Sequence, residues 1–265
     1  VIGIECTGEV IDAPGTDLLP GETVAAMMGG MGRAYDGSYA EFTRVPRRSV
    51  YRLQTELPWE ILGALPEMFQ TSQGSLRTGL RAKAGETLFI RGGTSSIGLC
   101  VAALAKRQGL EVASSSRTES KRDALTSAGV DHVVIDDGSS LKAKVEAAFG
   151  HGADCVLDLV GTTTLGDSLQ CCRDGGRVCM TGILGGEWIW KDFAPLVDIP
   201  NGVFLTSYGG GSEDVTEQEL QDFVDDVEAG RVSVSLDRTF RLDEIVDAHR
   251  YMEANQARGK IVVLP

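Results

Sequence analysis

No apolar run in this chain approaches the roughly 20 residues that a membrane-spanning helix needs. Basic charge is also scarce, with 25 Lys and Arg against 38 Asp and Glu. The resulting net charge of -13 argues against binding nucleic acid by phosphate neutralisation. Histidine is limited to His132, His151 and His249, which form no H-E-x-x-H pair. The six cysteines, at positions 6, 100, 155, 171, 172 and 179, include no C-x-x-C pair. Cys100, Cys155 and Cys179 fall in apolar segments, where a thiol acts as a small hydrophobe. That usage fits a reduced, cytoplasmic protein. There is no G-x-S-x-G, no Y-x-x-x-K and no Gly-Lys-Ser/Thr after a glycine loop. Nucleophilic hydrolysis, short-chain dehydrogenase chemistry and P-loop phosphate binding therefore lack their residues. The first residues, Val1-Ile2-Gly3-Ile4-Glu5, show neither an initiator Met nor the basic start and apolar stretch of a signal peptide.

The middle of the chain alternates between two periodicities. Thr87–Ile90, Glu111–Ser115, His132–Asp136, Cys155–Val160 and Arg177–Thr181 read as strands. Helical spacing follows each of the first four: Ile97, Val101 and Leu104, then Glu119 to about Ala128, Leu141 to about Phe149, and Leu165–Cys172. Such alternation predicts right-handed βαβ units, and so an α/β doubly wound parallel sheet with its ligand crevice at the carboxyl ends of the strands. The flanks differ. Residues 1–72 are rich in Gly and short apolar stretches and read as β-rich. Beyond Gly211 an amphipathic helix turns Leu220, Phe223, Val224 and Val227 inward, with Asp222, Asp225, Asp226 and Glu228 as a solvated face. A helix at Asp243–Met252 and a strand at Lys260–Leu264 close the chain. The expected organisation is a cofactor domain over 73–210, inserted into a second domain formed by 1–72 and 211–265.

Gly92-Gly93-Thr94-Ser95-Ser96-Ile97-Gly98 sits between the first of these strands and its helix. Against G-x-G-x-x-G, Gly93 and Gly98 match and Ser95 replaces the middle glycine, so the motif alone is weak. Its strand-to-helix setting makes it a candidate pyrophosphate loop. The end of the second strand selects the cofactor. An NAD binder places a carboxylate there for the ribose hydroxyls. This chain has Ser114-Ser115-Ser116-Arg117, with Lys121 close by. Two cations and small hydroxyls suit a 2′-phosphate, which predicts NADPH.

Segments along the whole chain resemble the medium-chain dehydrogenase/reductase superfamily, and within it the zinc-independent quinone oxidoreductases. Gly3–Val10 resembles G-x-E-x-x-G-x-V, Pro20–Val24 resembles P-G-D-x-V, and Gly37–Phe42 resembles G-x-Y-A-E-[YF]. The loop Gly92–Gly98 resembles G-G-T-S-G-[IV]-G, with Ser96 where glycine is usual; Asp158–Gly161 and Gly259–Val262 also fit. The resemblance implies a Rossmann-type sheet inserted in a GroES-like β-barrel domain. It also implies that the family's several dozen residues before Gly3 are missing here. It assigns as cofactor contacts Thr71, Gly93, Thr94, Ser95, Ser96, Ile97, Ser116, Arg117, Lys121, Val160, Thr181, Gly182, Ile183 and Lys260.

Zinc members of the superfamily carry a His where Ile4 stands and a three-cysteine loop where Met27–Tyr35 has none. Glu67 alone cannot hold zinc, which needs three or four ligands. No metal is therefore expected. The chemistry falls to the cofactor, and the resemblance implies a quinone or related conjugated carbonyl as the hydride acceptor. A 2-alkenal or enoyl reductase, and an NADPH-binding structural protein with little turnover, like the zeta-crystallins, are the alternatives. Arg33 and Tyr39 are candidates near the cleft, but no catalytic acid is assigned. The apolar segment Val203–Tyr208 is expected to be an edge strand that pairs with its own copy in a homodimer.

Overall fold

A computed structural model describes residues 1–254, 256–257 and 259–265. The chain divides into two compact units, one of Val1–Gln70 with Gly210–Pro265 and the other of Thr71–Gly209.

The first unit begins with β1 (Glu5–Glu9), β2 (Thr23–Met27) and β3 (Val50–Arg52), which form an antiparallel sheet. α1 (Trp59–Leu62) and α2 (Pro66–Gly74) follow, and the division between units falls within α2.

The second unit alternates β4 (Thr87–Arg91), α3 (Ser96–Arg107), β5 (Glu111–Ser116), α4 (Arg122–Ser127) and β6 (His132–Ile135). It continues through α5 (Leu141–Phe149), β7 (Ala153–Asp158), α6 (Leu165–Gln170), β8 (Cys172–Met180), α7 (Pro195–Asp198) and β9 (Phe204–Ser207). The six strands form one parallel sheet in the order β6-β5-β4-β7-β8-β9. The order reverses between β5 and β7, both of which flank β4. Every residue of β4 and β7 is buried, as expected for central strands covered on both faces. Phe89, Val134, Val145, Val156, Leu169 and Val178 make the core on one side of the sheet.

The chain then returns to the first unit through α8 (Glu217–Glu228), β10 (Leu236–Arg241), α9 (Ile245–Glu253) and β11 (Lys260–Leu264). β10 and β11 pair in parallel. α8 opens with a capping box between Thr216 and Glu219, which satisfies the first free N–H groups of the helix.

The fourth and fifth strands differ from their sequence reading. β7 stops at Asp158 instead of Val160, because the Asp158 carboxylate takes the N–H of Val160 and of Gly161, each at 2.8 Å. Those groups are thereby withdrawn from the ladder. β8 starts at Cys172, and an irregularity in its pairing with β7 lies between Cys172 and Arg177. Asp226 also departs from expectation. It is buried, not solvated, and its Oδ1 accepts from Arg231 Nε at 2.6 Å. Its main-chain oxygen accepts from the N–H of Arg231 and of Val232, so it anchors the turn that ends α8.

All six cysteines are free. Burial pushes the thiols of Cys155, Cys171 and Cys172 up to about 12, and those of Cys6 and Cys179 up to about 11. At pH 8 the thiolate fraction of these five is then about one in a thousand or less. A chromogenic disulfide reagent at pH 8 is expected to leave them unlabelled over minutes in native protein and to titrate all six thiols in denaturant. Rapid labelling of any of the five in the native state would contradict their placement.

Candidate functional site

The carboxyl ends of β4, β5, β7 and β8 lie side by side, because Ile90 is in register with Ser114, Arg91 with Asp158, and Asp158 with Met180. The loops leaving these ends carry nearly all the residues that the sequence marks for the cofactor. A Cβ on Gly92 (φ +80°) would lie 3.3 Å from Leu159 Cβ and from Val160 Cγ2, so the β4 and β7 loops are in van der Waals contact there. The β7 and β8 loops are joined by Leu184 N–H to Leu159 O at 3.2 Å and Gly185 N–H to Val160 O at 2.8 Å.

The glycine loop is shaped from below and behind. A Cβ on Gly93 would lie 1.7 Å from Ser114 Oγ, and one on Gly98 would lie 2.6 Å from Gly93 Cα. Only glycine permits the loop to lie on β5 and α3 to start against it. Ser95, at the position where the motif has its middle glycine, is the N-cap of α3; its Oγ accepts from Gly98 N–H at 3.1 Å. Substituting serine there exchanges backbone freedom for a cap. The N–H groups of Thr94, Ser96 and Ile97 find no acceptor among the described residues. Three unmet donors at the start of a twelve-residue helix fit a pyrophosphate.

At the end of β5, Ser116 is buried, and its Oγ accepts from Thr118 N–H and donates to Thr118 O at 2.8 Å, tightening the turn. Arg117 follows, exposed. Glu119, the nearest carboxylate in sequence, is held by Arg122 at 2.5 Å and lies below the usual carboxylate range for that reason. Arg117 and Lys121 have no ion pair among the described residues. The sheet therefore presents two uncommitted cations and no free carboxylate where the adenosine ribose of a dinucleotide would lie.

Val160, Thr181, Gly182 and Ile183 sit on the β7 and β8 loops. Thr181 Oγ1 is 3.0 Å from Ser75 Oγ, whose hydroxyl donates to Thr71 O at 2.7 Å. That chain of bonds brings Thr71 and Thr181 into one network within the second unit. Lys260 belongs to the first unit. Its ammonium is 2.8 Å from Glu5 Oε1 and 3.6 Å from Glu67 Oε2. These two carboxylates raise its pKa against the opposing effect of burial. Tyr39, also in the first unit, is half-buried and its ring is tilted against His249 with centroids 5.7 Å apart. Burial, with a smaller effect of Glu5, raises its pKa.

Two residues that the sequence reading gave no role, Asp158 and Arg91, support these loops. Asp158 is wholly buried and accepts from four donors, the N–H groups of Val160 and Gly161 and the hydroxyls of Thr164 and Ser168. Arg91, just before the glycine loop, is buried and bridges Asp136 at 2.9 Å and Asp167 at 2.5 Å. An arginine closing an otherwise apolar strand was the available signal, since such a charge needs buried partners.

Together the parallel sheet, the glycine loop at the helix start and the strand-end loops define a dehydrogenase/reductase of the medium-chain superfamily. The chain belongs to the zinc-binding dehydrogenase family, whose profile matches residues 128–263. It is 26% identical over 275 residues to the 2-haloacrylate reductase of Burkholderia sp, covering 100% of this chain and 81% of that protein. It is 25% identical over 236 residues to the quinone oxidoreductase of Lama guanicoe, covering 86% and 69%. A stretch of 190 residues is 29% identical to squalestatin tetraketide synthase of Phoma sp., 69% of this chain but 7% of that protein. The fold superposes on the Escherichia coli quinone oxidoreductase crystallised with NADPH at a TM-score of 0.86 and 18% identity, covering 100% of this chain and 82% of that one. The protein is thus an oxidoreductase. No helix among the described residues is long and apolar enough to cross a membrane.

Proposed function

We propose that the protein reduces a quinone, or a related conjugated carbonyl, with NADPH and without zinc. The uncommitted pair Arg117 and Lys121, beside a strand end with no free carboxylate, carries this reading. The N–H groups of Thr94, Ser96 and Ile97 would hold the pyrophosphate, and Val160, Thr181, Gly182 and Ile183 would border the remainder of the cofactor. When bound, NADPH supplies a hydride. The chain's own part is to fix the loops so that the cofactor has one pose and to exclude water. A conjugated acceptor suits a protein without a Lewis acid, because charge spreads to a remote oxygen. Ile4, which stands where zinc members of the superfamily carry a His, supports the zinc-independent reading.

A second reading is reduction of a 2-alkenal or enoyl double bond. The match to 2-haloacrylate reductase over the whole chain favours it. We further infer a homodimer through β9, and a cytoplasmic location from six free thiols.

Titrating the full chain with NADPH and NADH by nucleotide fluorescence tests the cofactor reading. NADPH is expected to bind at least about tenfold more tightly, a difference of about 1.4 kcal/mol. Arg117→Ala is expected to remove most of that preference while leaving NADH almost unchanged. Equal affinities for the two nucleotides would refute the reading. Oxidation of NADPH by a panel of quinones and enals then separates turnover from binding alone.

A further inference from the structure

A cavity of about 220 Å³ lies wholly within the first unit. Its lining includes Ile4, Met28, Gly29, Gly30, Arg33 and Glu213. That volume is below the roughly 300–1,000 Å³ of sites for drug-sized ligands, so it suits a small molecule or one end of a larger one. The wall is unusual in its backbone. Met28, Gly29 and Gly30 all have positive φ, at 54°, 58° and 98°. For methionine this is a sparsely populated conformation, and such strain concentrates at ligand sites. The turn leaves the N–H groups of Gly29 and Gly30 without an acceptor among the described residues. The Arg33 guanidinium, on the same wall, makes no hydrogen bond or ion pair among the described residues.

The geometry points to this cavity as a binding site for a small carboxylate, with Arg33 and the N–H groups of Gly29 and Gly30 as its donors. A guanidinium and two free backbone N–H groups are donors only, and a carboxylate is an acceptor only. Ile4 and Met28 supply the apolar wall that a short carbon chain needs beside its charged end. The chain carries a net charge of -13, so the surface as a whole repels an anion and the attraction has to be local. Glu213 is the opposing group on the lining. Its carboxylate packs back on Gly211 and accepts one long hydrogen bond, at 3.5 Å from Ser212 Oγ, and it does not pair with Arg33. Its charge weakens an anion at the same cavity without cancelling the donor set. This inference goes beyond the cofactor reading and stands on the first unit alone.

Acrylate and acrylamide have nearly the same shape and differ in charge, so the full chain is titrated with each by calorimetry, in the presence and absence of NADPH. Acrylate is expected to bind at least tenfold more tightly than acrylamide. Arg33→Met is expected to abolish that ratio with acrylamide affinity unchanged, and Arg33→Lys to restore part of it. Glu213→Gln is expected to tighten acrylate about threefold. Arg33 is exposed, so these variants should melt with the parent. Equal affinities for acrylate and acrylamide, no binding of either, or an acrylate preference that survives Arg33→Met would each overturn the assignment. If acrylate binds through Arg33 but NADPH does not bind, the anion site stands and the cofactor reading falls. If NADPH binds and acrylate shows no preference, the reverse holds.

Discussion

Replacing Asp158 with alanine is expected to cost the nucleotide-binding unit about 3–4 kcal/mol of stability, a large share of the roughly 5–15 kcal/mol typical of a folded domain. The carboxylate is fully buried. It accepts from Val160 N–H and Gly161 N–H at 2.8 Å, from Thr164 Oγ1 at 2.9 Å and from Ser168 Oγ at 2.6 Å. Each donor left buried and unmet costs about 1–3 kcal/mol, and the sum is reduced because the two hydroxyls can rotate. Thr164 in particular has Gly161 O at 3.1 Å as an alternative acceptor. Asp158→Asn keeps an acceptor for the two N–H groups and presents an amide that the hydroxyls can accept, so it should cost about half as much. Urea unfolding of the three proteins measures this through the midpoint at constant slope. Because the same bonds set Val160 and Gly161 beside the glycine loop, the folded alanine variant should also bind NADPH at least tenfold more weakly. A loss under about 1 kcal/mol would mean that main-chain bonds such as Thr164 N–H to Gly161 O hold this loop without the carboxylate.

The parts of the fold written in local periodicity were legible in the sequence. β11 and α5 have the bounds read for them, since apolar runs ended by charge or by Gly150 (φ +78°) leave little choice. The ends of β7 and β8 were not legible, because they depend on which side chain captures a strand-end N–H. Asp158 does so from within the motif that the resemblance had already marked, and no spacing rule signals it. Asp226 was misread for a related reason. Helical periodicity places it near Phe223 and Val224, and its burial depends on Arg231, five residues beyond, folding back to it. The candidate cofactor loops were legible because glycine positions and missing carboxylates are visible in one dimension. The Gly29 and Gly30 donors beside Arg33 were hidden, since an unmet N–H is defined by what is absent around it in space.

The protein is expected to run as a dimer at micromolar concentration in light scattering, and Leu205→Pro to reduce it to a monomer. β9 is the last strand on one edge of the sheet and pairs only with β8 among the described strands. Tyr208 N–H donates back to Met180 O at 3.1 Å. N–H groups alternate in direction along a parallel strand, so those of Leu205 and Ser207 face the open edge. Proline at either position removes an outward donor and leaves the ladder to β8 intact. Ser207→Pro is the cleaner variant, because Ser207 is exposed while Leu205 packs partly on the core. An edge of this kind, unprotected by charge, invites pairing, and Phe204 beside it is 63% exposed. The preceding segment exposes Leu184, Trp188, Ile189, Leu196 and Val197 as well, more apolar surface than scattered single residues would account for. A two-fold axis at β9 joins two edges antiparallel and closes the assembly. The apolar side chains then supply area toward the roughly 1,200–2,000 Å² that a stable interface buries. A parent protein of monomer mass would end the idea. A dimer that survives both proline variants would place the interface elsewhere on the chain, with the exposed tryptophan segment the next surface to change.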